Sequence, residues 1–239
     1  MVMSRGSVGV GQVYPTKFGP CKVLTYEGCF RVQIKFLDTG TVRWCIANNL
    51  RTGKVQDYYV PTVKGIGYMG EGEYSQKSHY AIYTLWTSIL GRSCTEYKAK
   101  HPTYAECSVV KTWHNFQTFA AWCVAQPNWD TPGFELDKDL RVPGNKKYGP
   151  KYCSFVPHVI NCSLMGLESK DTGVFPRGNL FRAVYKAQGK SKWKSFVRRE
   201  DAEIFYRTAK LKYIKNLLRK FKHSLHPEVV RTLTDWRFK

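Results

Sequence analysis

Residues 134–161 read FELDKDLRVPGNKKYGPKYCSFVPHVIN, and the spacing of acids and amides in this stretch governs how the rest of the chain is read. Asp137 and Asp139 sit two apart in a segment that reads as a strand, which predicts both carboxylates on one face. The Pro143, Gly144, Asn145 sequence predicts a chain reversal, residues 152–156 a returning strand, and Pro157 the first turn of a short helix. Asn161 then falls one turn into that helix. A hairpin followed by a helix, with one oxygen ligand from each, suits a single hard cation such as Mg²⁺ held against a phosphate. Carboxylate and amide oxygens match that ion, and thiolates do not. The competing reading is a solvated strand end with a salt bridge, followed by an ordinary turn.

These residues resemble a family: the His-Asn-His nucleases of the ββα-metal type, in the diverged form common among bacteriophage homing endonucleases. The LDKD of residues 136–139 is similar to the LDHDH of junction-resolving members. The resemblance implies Asp137 and Asn161 as ligands of one Mg²⁺ or Mn²⁺ ion, and Asn145 as the residue tying the loop across the hairpin. It places the general base at Lys138. A lysine near its reference pKa of about 10.4 is protonated at neutral pH and takes no proton from water. Three candidates for the base stand side by side: Lys138 with a pKa lowered by desolvation beside cations, His158 one turn before Asn161, and Asp139.

The charge balance points to a polyanionic partner. Lys and Arg number 38 against 18 Asp and Glu, a formal net charge of +20, and each phosphate neutralised releases condensed counterions. Double-stranded DNA is the expected partner. No apolar run approaches the roughly 18 residues of a spanning helix, so no membrane partner is expected. The opening residues, MVMSRGSVGVGQ, contain no apolar signal region, which predicts a cytoplasmic setting; under the resemblance this is an infected bacterial host cell. The eight cysteines include no Cys-x-x-Cys pair. Reduced thiols are expected rather than structural zinc, although Cys94, Cys107, Cys153 and Cys162 have the chemistry to converge on that ion.

The fold class expected is α+β. A small β-rich accessory module occupies 1–64, where Phe30, Val32, Ile34 and Phe36 alternate with polar residues before a turn at 38–40. Its polar edge carries Arg31, Lys35, Arg43, Arg51 and Lys54, either a solubilising face or an accessory DNA contact. Residues 65–78 read as a glycine-rich linker. From 79 to 167 a helical brace, with large residues at helical spacing (Tyr83, Trp86, Ile89 and Leu90, then Trp113, Phe116, Phe119, Ala120 and Cys123), leads into the nuclease-like core.

Residues 168–239 read as strands followed by one long helix. Residues 180–187 and 190–196 pair through a turn at Gln188 and Gly189, and a helix from about 200 to 221 packs one side on the sheet. The wording TGVFPRGNLFRAVYKAQGKSKWKSFVRREDAEIFYRTAK resembles the AP2-type DNA-binding domain that phage homing endonucleases append to their nuclease core. That resemblance implies a three-stranded sheet entering the major groove, with contacts from Arg177, Arg182, Lys186, Lys192, Trp193 and Lys194. Lys212, Lys215, Arg219 and Lys222 recur at steps of three and four and form a basic stripe suited to phosphate.

Together these features predict a modular endonuclease that hydrolyses or nicks duplex DNA, as a monomer if it nicks and a dimer if it cuts both strands. Two alternatives stand beside it. One is a catalytically inactive DNA-binding protein derived from such an enzyme; the other is an RNA-binding or virion structural protein.

Overall fold

The computed structural model describes residues 7–164, 173–187 and 189–236. The chain is α+β and divides into two compact units, Met1–Cys94 with Lys111–Ala120, and Thr95–Val110 with Ala121–Lys239. The expected boundary at 167 and 168, and Gln188 of the expected turn, lie outside the described residues.

The first unit opens with a four-stranded antiparallel meander of β1 (Val13–Tyr14), β2 (Cys21–Tyr26), β3 (Val32–Phe36) and β4 (Val42–Cys45), followed by the short helix α1 (Ala47–Arg51). Period-two alternation sends Val32, Ile34 and Phe36 of β3 and Cys21 and Val23 of β2 inward, where they meet Ala47 and Leu50 of α1. Each such fully buried aliphatic side chain contributes about 1.5–3 kcal/mol. Phe30 does not continue the pattern. It precedes β3 and is 84% exposed.

The glycine-rich segment packs against its neighbours instead of spanning free solvent. A Cβ on Gly67 would overlap Leu90 and Trp86 of α2 (Tyr80–Gly91), so the absent side chain lets the backbone lie against the helix. Gln117 secures the same segment, donating to the carbonyls of Met69 at 3.1 Å and Tyr74 at 2.8 Å and accepting from the Tyr74 N–H at 3.0 Å. Ile82, Trp86, Ile89 and Leu90 form the buried stripe of α2, and Trp86 donates to the Trp113 carbonyl at 2.7 Å. This helix, expected to brace the nuclease-like core, belongs to the first unit.

The second unit contains α3 (Thr95–Lys100), and the last turn of α4 (Phe116–Val124) runs into it. β5 (Ser108–Val109) pairs in parallel with β7 (Lys147–Tyr148), while β6 (Phe134–Asp137) pairs antiparallel with β8 (Ser154–Pro157), which leads directly into α5 (His158–Leu164). Pro157 therefore closes a strand, opposite Phe134, and α5 begins one residue later. β9 (Val174–Arg177), β10 (Leu180–Ala187) and β11 (Lys190–Phe196) form a three-stranded antiparallel sheet with β10 central.

α6 (Arg199–Phe221), 23 residues and thus about 34 Å long, joins two cores. Its first half sets Ala202 and Tyr206 against Val174 and Ala183 of the sheet. Its second half sets Ile214 and Leu217 against Val156, Ile160 of α5, and Val229 and Leu233 of α7 (Pro227–Thr234). The sequence reading expected one long helix here; α7 is a second, with Pro227 at its first position and His226 accepting the Glu228 N–H. The sheet-and-helix segment thus shares a core with the hairpin segment. No helix among the described residues is long and apolar enough to cross a membrane.

Candidate functional site

β6 carries Asp137 and α5 carries Asn161. Strand alternation puts Glu135 and Asp137 on the same face of β6, the face that Val156 and Ser154 share across the ladder. His158 and Asn161 lie three apart on α5, hence on one helix face. Glu135 joins the two elements: its Oε1 lies 2.7 Å from His158 Nδ1, and its Oε2 accepts from Asn161 Nδ2 at 3.1 Å. With Nδ2 committed, Asn161 Oδ1 takes no hydrogen bond from any described residue. Sequence reasoning passed over Glu135, although its position two residues before Asp137 signals a shared strand face.

Asp137 ends β6 and is 9% exposed. Its Oδ1 accepts the N–H groups of Asp139 at 2.9 Å and Leu140 at 2.7 Å, which turns the chain out of the strand and leaves Oδ2 without a hydrogen bond among the described residues. Burial raises the Asp137 pKa, the Leu140 N–H opposes the rise, and the charge of Asp139 adds to it. Directly across the ladder, the buried Ser154 hydroxyl has no hydrogen-bond partner. Asp139 does not share the strand face of Asp137, because β6 stops at Asp137 and the next residues curl around its carboxylate.

Asp139 instead pairs with Lys138, whose Nζ lies 2.5 Å from Asp139 Oδ1 and sits over the Tyr148 ring at 5.8 Å. Lys138 is 8% exposed. An ammonium in this pairing offers donors only, so Lys138 is not placed to take a proton from water. Asn145 bridges the loop: its Nδ2 donates to the carbonyls of Lys138 at 2.8 Å and Lys147 at 2.7 Å. Arg141 fixes the same loop, donating to the Pro150 and Cys153 carbonyls and pairing with Glu228 of α7 at 2.8 Å. The four cysteines considered for zinc have different surroundings. Cys94 donates to the Lys64 and Leu90 carbonyls, Cys107 and Cys153 are buried, and Cys162 Sγ lies 3.2 Å from His158 Nε2. No group of three or more His, Cys, Asp or Glu among the described residues is arranged to hold a metal ion.

The second candidate surface is the sheet face turned away from α6. Pairing of Arg182 with Ser195 and Phe175, of Val184 with Trp193 and of Leu180 with Arg177 gathers Arg177, Arg182, Lys186 and Trp193 on that face. Arg182 lays its guanidinium over the Trp193 ring, 4.2 Å from the centroid. Phe175 and Trp193 are 51% and 60% exposed. Lys192 and Lys194 belong to the opposite face, since they pair with Tyr185 and Ala183. Lys194 Nζ lies 5.3 Å from the centroid of the Phe196 ring and 5.6 Å from that of Phe205, a residue of α6. They were expected among the groove contacts; the register assigns them to the helix side. Lys212, Lys215 and Arg219 are exposed along α6, and Lys222 begins the single turn that follows it.

Comparison of the chain with protein-family models, curated proteins and solved structures returned no match.

Proposed function

We propose that this protein is a metal-dependent DNA endonuclease of the His-Asn-His, ββα-metal kind, with an AP2-like sheet as its duplex-binding surface. The observation that carries the reading is the Glu135 bridge. One carboxylate holds His158 and Asn161 on the face of β6 that also bears Asp137. A donor set of one carboxylate oxygen and one amide oxygen, each without a hydrogen bond among the described residues, fits Mg²⁺ or Mn²⁺. The orphaned Ser154 hydroxyl beside Asp137 fits a water of that ion's shell.

In this reading Asp137 and Asn161 would hold the ion, which when bound neutralises charge on the leaving 3′ oxygen. Glu135 has the role of an outer partner: it holds Asn161 by Nδ2 and leaves Oδ1 as the ligand atom. His158 is the base. With Nδ1–H directed at Glu135, its Nε2 carries the lone pair, and the attacking water would take the place of the Cys162 thiol that lies 3.2 Å from that atom. Lys138 is a structural cation paired with Asp139. Asn145 maintains the loop that follows β6. Arg177, Arg182, Lys186 and Trp193 would meet the duplex, with Arg182 suited to guanine and the lysine to phosphate.

A second reading, a DNA-binding protein without catalysis, draws on the burial of Asp137 and on Lys138 at the position where the family places its base. Supercoiled plasmid incubated with the protein and Mg²⁺ or Mn²⁺, with and without chelator, separates the two. The endonuclease reading expects nicked or linear product that chelator and Asp137→Ala each abolish, with duplex affinity kept within about threefold. No product with either ion favours the second reading, and product that chelator leaves unchanged would overturn metal dependence.

A further inference from the structure

The first unit has a cleft that the endonuclease reading does not use. It lies beside β4 and α1 and measures about 480 Å³, with Phe30, Arg43, Trp44, Asn49, Lys54 and Tyr58 among its lining. Phe30 and Trp44 are 84% and 40% exposed. Ile46, 37% exposed, lines the same cleft, and it is clustering of exposed apolar side chains rather than single exposure that marks a binding surface. Neither Asp nor Glu lines the cleft. Arg43 is held in place, donating to the Gln56 carbonyl at 2.5 Å with its guanidinium 4.5 Å from the centroid of the Tyr58 ring. Arg31 similarly covers one face of Trp44 at 4.5 Å.

We infer that this cleft binds unpaired nucleotides of a single-stranded nucleic acid, with a base stacked on Phe30 and Trp44 and its phosphate at Lys54 and Arg43. The volume belongs to the 300–1,000 Å³ class of small-ligand sites, which accommodates an unstacked nucleotide but not a section of duplex. Exposed rings need a free base face, and a duplex hides its base faces within the stack. Asn49 supplies an amide for a base edge, as a planar polar ligand requires. The cations exclude a lysine-bearing or otherwise basic peptide. The inference concerns the first unit alone and does not rest on the hairpin site.

The test compares the full chain with Phe30→Ala, Lys54→Glu and Arg182→Ala, using fluorescence anisotropy with a labelled oligothymidylate and with a labelled duplex of equal length at one stated salt concentration. Phe30 and Lys54 are both exposed, so neither substitution removes core. Phe30→Ala and Lys54→Glu should each weaken oligothymidylate binding by about tenfold, within the range that loss of a stacked base gives, while duplex affinity changes by less than about twofold. Arg182→Ala should show the reverse preference. Equal losses on both probes, no loss on the single strand, or displacement of the oligonucleotide by a proline-rich peptide would overturn the assignment.

Discussion

The Glu135 carboxylate meets Asn161 Nδ2 at 3.1 Å through one oxygen and His158 Nδ1 at 2.7 Å through the other. A strand residue thereby sets the orientation of two helix residues at once. Both contacts are partly solvent-exposed, so the pairing contributes little to stability; its consequence is geometric. Asn161 Oδ1 is left without a hydrogen bond among the described residues, and His158 Nε2 is turned toward Cys162 Sγ at 3.2 Å.

Glu135→Ala therefore tests orientation separately from ligation. The variant should fold with a melting temperature near that of the wild type, bind duplex DNA normally, and lose about 10–100-fold in cleavage, as loss of an outer partner does. Cleavage at the wild-type rate would remove Glu135 from the site.

Asp137 gives a pH signature. Its pKa is raised by burial, so the folded chain keeps the proton to a higher pH than the unfolded chain does. Stability falls as pH climbs from the ordinary carboxylate range through the folded value, and the penalty persists above it. Asp137→Asn retains an oxygen for the Asp139 and Leu140 N–H groups while removing the charge. Without metal it should melt a few degrees above the wild type at pH 7, a shift corresponding to about 1 kcal/mol, and the difference should vanish in acid. Added Mg²⁺ should raise the melting temperature of the wild type alone. Parallel pH profiles, or equal stabilisation of both by Mg²⁺, would contradict the ligand assignment.

The two faces of the β9–β11 sheet are distinguished by paired substitutions. Arg182→Ala should weaken duplex binding by about 1–3 kcal/mol and relax preference at one base position. Lys194→Ala should cost less, because Lys194 is directed to Phe196 and Phe205 on the helix side. Binding isotherms at fixed salt decide between them, and a larger loss for Lys194→Ala would mean that the DNA meets the other face.

Lys210 is 6% exposed, and its ammonium donates to the Ser163 carbonyl at 2.7 Å. Burial lowers its pKa, so stability rises as pH climbs through the folded value toward the ordinary lysine range, and the desolvation penalty is full below it. Lys210→Met should stabilise the protein at pH 7 by on the order of 1 kcal/mol, net of the lost hydrogen bond. That gain should shrink in alkaline buffer. Denaturant titrations at pH 7 and pH 10 measure it; a variant less stable at both would show that the bond to Ser163 outweighs the desolvation.

The sequence by itself determined what local periodicity encodes. The alternation of Val32, Ile34 and Phe36, the span of α6 and the placement of Asn161 one turn into α5 were legible. Each depends on backbone period and capping within a few residues. Only the tertiary structure decided which distant groups meet. In KSKWKSF, Trp193 and Phe196 fall on opposite faces, so the run does not say which of its lysines face outward; pairing with β10 settles it. Gly67 reads as linker until Leu90 and Trp86 close on it. Glu135 looks like any strand acid until α5 folds back. Register and long-range packing are set by contacts between segments far apart in the chain, and local patterning leaves them open.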